Sequence, residues 1–119
     1  MRLYLLLLSF VLFCVPRVAD ASSPDCSGAN GWASSMAFVH LKNAGLLQNE
    51  TTDFTKTEIT RLASEKIGRD LYRQVHQITF FRKSMDKISV VAVNDASNKE
   101  CSMSGVEVLV ISQRLGGLK

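Results

Sequence analysis

Residues 71–83 read LYRQVHQITFFRK, and the fold turns on how that run continues. Ser84-Met85-Asp86 follows, then KISVVAVND over 87–95, a polar connection ending in ECSMSG, and VEVLVISQR over 106–114. β-Branched and aromatic residues dominate these runs, and short polar segments separate them. That is the pattern of consecutive antiparallel strands. The tip Ser84-Met85-Asp86 has the length of a hairpin loop. A three-stranded antiparallel meander is the reading.

Side-chain alternation assigns the faces. Tyr72, Gln74, His76, Ile78 and Phe80 share one face, while Leu71, Arg73, Val75, Thr79 and Phe81 share the other. Val90, Ala92 and Asn94 alternate with Val91, Val93 and Asp95. Val106, Val108, Val110 and Ser112 oppose Glu107, Leu109, Ile111 and Gln113. A last strand that is apolar on both faces needs a core on one side and some cover on the other. On this reading an aspartate at either Val108 or Val110 unfolds the domain.

Upstream, Phe54–Gly68 reads FTKTEITRLASEKIG and is ambiguous. As a helix it places Ile59, Leu62, Ala63 and Ile67 on one side. As a strand its threonines sit well, with Gly68 marking a turn, and the strand is preferred. WASSMAFVHLKNA, from Trp32 to Ala44, has helical spacing, with Trp32, Met36 and Val39 on a stripe beside Ala33, Ala37 and Leu41. Asn30 is the expected N-cap and Gly45 the expected C-terminal glycine. The expected fold class is α+β: one N-terminal helix packed on a three- to four-stranded antiparallel β-meander.

The chain has 119 residues, enough for one domain. Leu3 to Val15 is almost continuously apolar behind Arg2, and Ala19-Asp20-Ala21 supplies small residues for cleavage. Residues 1–21 therefore read as a secretory signal peptide, because so short a run cannot cross a bilayer core of about 30 Å. The domain is then 22–119. Removing Arg2, Arg17 and Asp20 with the leader leaves 12 basic and 10 acidic residues, a net charge of +2. That balance gives no reason to expect nucleic acid or a membrane surface. The expected location is exported, periplasmic or secreted.

Cys14 leaves with the leader, so Cys26 and Cys101 remain and are expected to form one disulfide. No C-x-x-C exists, and His40 and His76 have no ligand-type neighbours to make a metal site. No nucleophile elbow, phosphate loop or paired-carboxylate motif occurs, so neither an enzyme nor a cofactor is expected. Arg61, Lys66, Arg69, Arg73, Arg82, Lys83 and Lys87 are interleaved with acidic residues. They read as a solvated face or as a recognition surface for an acidic partner protein or polyanion, with Tyr72, Arg73, Arg82 and Lys83 as the candidate partner residues. The functional expectation is a small non-enzymatic binding protein with a protein partner, such as an inhibitor or immunity protein. The alternative is an envelope module for a ligand or a metal.

Overall fold

The computed structural model describes residues 23–113 and 115–117. The expected signal peptide, residues 1–21, lies outside the described residues. The elements are α1 (Trp32–Asn43), β1 (Thr52–Gly68), β2 (Leu71–Arg82), β3 (Lys87–Ala96) and β4 (Glu107–Ile111). The strands form one antiparallel sheet in the order β1-β2-β3-β4. The α+β meander expected from the sequence is the fold. Among the described residues, no helix is long and apolar enough to cross a membrane.

The ambiguous segment is a strand, and it begins at Thr52 rather than Phe54. Pairing with β2, from Thr52 opposite Arg82 to Gly68 opposite Leu71, overrides its helix formers. Arg69 and Asp70 make the connecting turn. Asp70 has φ 48°, and its Oδ1 accepts hydrogen bonds from the backbone N–H of Asn98 (3.0 Å) and from its side-chain amide (2.8 Å). The first hairpin is thereby tied to the loop that follows β3.

Ala33, Ala37 and Leu41 turn one stripe of α1 onto the sheet, where they are buried with Ile78, Phe80, Val90, Ala92, Val106 and Leu47. The two alanines let the helix lie close, and Phe80 is the largest fully buried side chain. Phe38 meets the Phe54 ring edge-on at 4.8 Å and lies 6.1 Å from Phe80. Each fully buried large side chain here contributes about 1.5–3 kcal/mol.

The helix ends as its sequence suggests. Gly45 has φ 75°, its N–H donates to the Lys42 carbonyl, and the Leu46 N–H donates to the Leu41 carbonyl. These are the two bonds of a Schellman motif. The start differs from expectation: Gly31, not Asn30, is the N-cap, and no side chain caps the helix. The chain turns tightly before it, with the Gly31 N–H donating to the Gly28 carbonyl at 2.9 Å. A Cβ on Gly31 would stand 3.0 Å from that oxygen, so the position favours glycine.

Cys26 and Cys101 are bonded, with Cα atoms 5.7 Å apart. The bond fastens the lead-in before α1 to the β3–β4 loop. Trp32 Nε1 donates to the Ser104 carbonyl (3.0 Å), and Asn94 Nδ2 donates to the Cys101 carbonyl (3.0 Å). The closed loop spans 75 residues. Constraining it in the unfolded chain is worth roughly 4 kcal/mol. Cys101→Ser is expected to lower Tm by about 10 °C or more in a domain of this size, measured by circular dichroism.

The last strand corrects one expectation. Val108 packs against the core, but Val110 is 44 % exposed. β4 is an edge strand, and α1 does not reach far enough to cover Val110. Val108→Asp is expected to cost about 1–3 kcal/mol by placing a carboxylate at a partly buried position packed on the core. Val110→Asp is expected to stay within about 1 kcal/mol of wild type, as an exposed substitution does. Urea midpoints of the two variants distinguish these outcomes.

Candidate functional site

The sheet has two unlike faces. The helix and lead-in cover the inner one. Among the described residues the outer face has no layer of structure on it, and the register gives its rows across the strands. Glu58, Thr79, Ser89 and Ile111 form one row; Thr60, Gln77, Val91 and Leu109 form the next. Ala63, Val75, Val93 and Glu107 form the third; Glu65, Arg73 and Asp95 form the fourth. An apolar band of Val75, Val91, Val93, Leu109 and Ile111 thus runs diagonally across β2, β3 and β4.

Polar groups frame the band. The hydroxyls of Thr79 and Ser89 are hydrogen-bonded at 3.0 Å. Arg73 and Asp95 make a two-point pair, at 3.0 Å from Nε and 3.3 Å from the terminal nitrogen. Glu58, Gln77, Thr79, Lys87, Ser89 and Ile111 help line a depression of about 680 Å³ in this face. With Arg73 and Asp95 paired, Glu58, Glu65 and Glu107 outnumber Lys87, so the face leans acidic.

The four candidate partner residues do not come together. Tyr72 is buried, 4 % exposed, on the inner face. Its neighbour Arg73 points to the opposite face, as alternation along a strand requires. Arg82 and Lys83 lie at the far end of β2, roughly 30 Å from Arg73 along the strand. Arg82 is committed to Asp86 at 2.6 Å and to the Leu46 carbonyl at 2.7 Å. Arg61, of the wider basic set, reaches inward to the Pro24 carbonyl at 3.2 Å. The basic residues that cluster in sequence are dispersed over both faces and both ends.

A second feature lies inside. Gln74, His76 and Asn94 are buried side by side on the inner face, beneath the lead-in. Gln74 Nε2 donates to the Pro24 carbonyl at 2.8 Å and to Ser64 Oγ at 3.2 Å. Among the described residues, Gln74 Oε1, Asn94 Oδ1 and both His76 ring nitrogens have no hydrogen-bond partner. Burial lowers the His76 pKa below its ordinary value, the nearby Arg61 charge lowers it further, and Asp25 opposes both. His76 is therefore neutral in the folded protein at neutral pH. Among the described residues, no group of three or more His, Cys, Asp or Glu side chains is placed to hold a metal ion.

A small crevice of about 280 Å³ separates α1 from β1, lined by Phe38, Val39, Phe54, Phe80 and Thr57 among others. It forms because β1 leaves its ladder between Asp53 and Glu58, swinging Phe54 towards the helix. The sequence carries no signal for that irregularity.

No family model matches the chain, and comparison with curated proteins and with solved structures finds no match.

His76 sets a pH dependence. Its unfolded pKa is about 6.5 and its folded pKa is lower, so the unfolded state binds the proton first. Stability is complete above pH ~6.5 and is lost as pH falls from there towards the folded pKa. Urea midpoints are expected to drop between pH 7.5 and 5. His76→Phe, which has no proton to bind, is expected to flatten that profile.

Proposed function

We propose that the protein is an exported, non-enzymatic binding protein that holds a protein partner on the outer face of its sheet, in the manner of an inhibitor or immunity protein. The observation that carries this reading is the apolar band of Val75, Val91, Val93, Leu109 and Ile111, framed by polar groups and left without cover. Exposed apolar surface rimmed by polar residues is typical of interaction sites. The Cys26–Cys101 bond supports export, since disulfides persist in oxidising compartments.

The chemistry of the face selects the partner. An apolar strip flanked by lysine or arginine would meet the band and its surplus carboxylates Glu58, Glu65 and Glu107. Complementarity of that kind sets specificity and the rate of encounter. This inverts the expectation from the sequence, where the cluster of basic residues suggested an acidic partner.

The test compares retention of the partner by two surface variants. Val91→Lys, in the middle of the band, is expected to weaken binding by at least about tenfold, as loss of a central contact does. Lys42→Glu, on the exposed side of α1, is expected to leave binding unchanged. The opposite pattern, with binding lost in Lys42→Glu and kept in Val91→Lys, overturns the assignment of the face.

A further inference from the structure

The two edges of the sheet are built differently. β1 is interrupted by three shifts of register, between Asp53 and Glu58, Arg61 and Ala63, and Lys66 and Gly68. It also carries Lys56, Glu58, Arg61, Glu65 and Lys66. Bulges and charges are the devices by which edge strands avoid pairing with other chains. β4 has neither. Its ladder with β3 is regular from Glu107 opposite Val93 to Ile111 opposite Ser89. Its sequence is Glu-Val-Leu-Val-Ile, without lysine or proline. Leu109, Val110 and Ile111 are 53 %, 44 % and 40 % exposed, so both faces of the edge are apolar. Alternate backbone N–H and C=O groups of such a strand point outward without a ladder partner.

We propose that β4 pairs antiparallel with β4 of a second copy of this chain, joining two sheets into one. The strand is self-complementary. A two-fold axis normal to the sheet keeps each face on its own side, so only residues of the same alternation can meet. Centred on Leu109, the axis sets Leu109 against Leu109 of the second copy, Val108 against Val110, and Glu107 against Ile111. The only charged residue of the strand is thus opposite an apolar one. The two Glu107 carboxylates stand at opposite ends of the ladder, about 13 Å apart along the strand. A parallel arrangement would instead bring like charges side by side. Leu109 extends the Val91 row of the outer face, so pairing joins the apolar bands of the two copies and sets both helices on the inner side. The inference does not depend on the partner proposed above, because it rests on the backbone edge of β4, although Leu109 and Ile111 also belong to the band.

Light scattering and sedimentation of the purified protein at about 0.1 mM, where even small interfaces are populated, are expected to report a dimer. Leu109→Lys and Val110→Lys are each expected to give monomers that melt within a few degrees of wild type. Thr60→Lys, on the opposite edge, is expected to remain dimeric. Amide exchange in the wild type provides a reading without substitution. The outward N–H groups of Glu107–Ile111 should exchange more slowly at about 0.1 mM than at about 1 µM, as mass action requires. A wild-type monomer at the higher concentration overturns the proposal. So does a dimer that survives both β4 substitutions, or exchange in β4 that is indifferent to concentration.

Discussion

The Cys26–Cys101 bond determines how the inner face of the sheet is closed. A single twelve-residue helix covers the part formed by Ile78, Phe80, Val90 and Ala92. The rest, around Gln74, His76 and Asn94, is closed by the lead-in and the loop carrying Cys101. The lead-in is a short run of small and polar residues, Ser-Pro-Asp-Cys-Ser-Gly-Ala-Asn, with little apolar surface to hold it down. The covalent bond does what its side chains cannot. The residues beneath match the cover. Where an apolar helix stripe lies above, the sheet is apolar. Where backbone carbonyls of Pro24 and Cys101 lie above, the sheet presents amide donors.

With the helix and lead-in on one face, the described residues leave nothing for the other. The described residues have a small core and one helix, and their four strands present two faces. The outer face is therefore half apolar without being core. Val75, Val91 and Val93 are only partly sheltered by their own neighbours. The same shortage reaches β4, which lies at the margin of the helix and is packed through Val108, with Val106 just before it, but not through Val110.

The strands were legible because alternation of side chains is a local property. It assigned Tyr72, Gln74, His76, Ile78 and Phe80 to one face, and the structure buries all of them there. The same alternation already separated Tyr72 from Arg73, so their grouping as one partner surface conflicted with the strand reading itself. Composition grouped residues that geometry divides. What alternation does not encode is where a strand breaks register. The excursion of β1 at Phe54–Thr57 depends on a helix that packs from elsewhere in the chain, and the lateral reach of that helix also decides the exposure of Val110. Asn30 failed as a cap for a similar reason: the turn from Gly28 to Gly31 is set by the approach of backbone to backbone, which residue preference does not report.

The buried polar row carries an energetic consequence. Gln74 Oε1, Asn94 Oδ1 and the His76 nitrogens lie buried without protein partners. Each buried polar group left without a partner costs about 1–3 kcal/mol. Total stability for a domain is only about 5–15 kcal/mol. An uncompensated row would therefore consume a large share of it. The disulfide contribution of roughly 4 kcal/mol, gained by constraining the unfolded chain, offsets part of that cost. The polar row and the disulfide are thus one arrangement. The bond fastens the lead-in whose Pro24 carbonyl accepts from Gln74, so the cover over the polar row is held covalently.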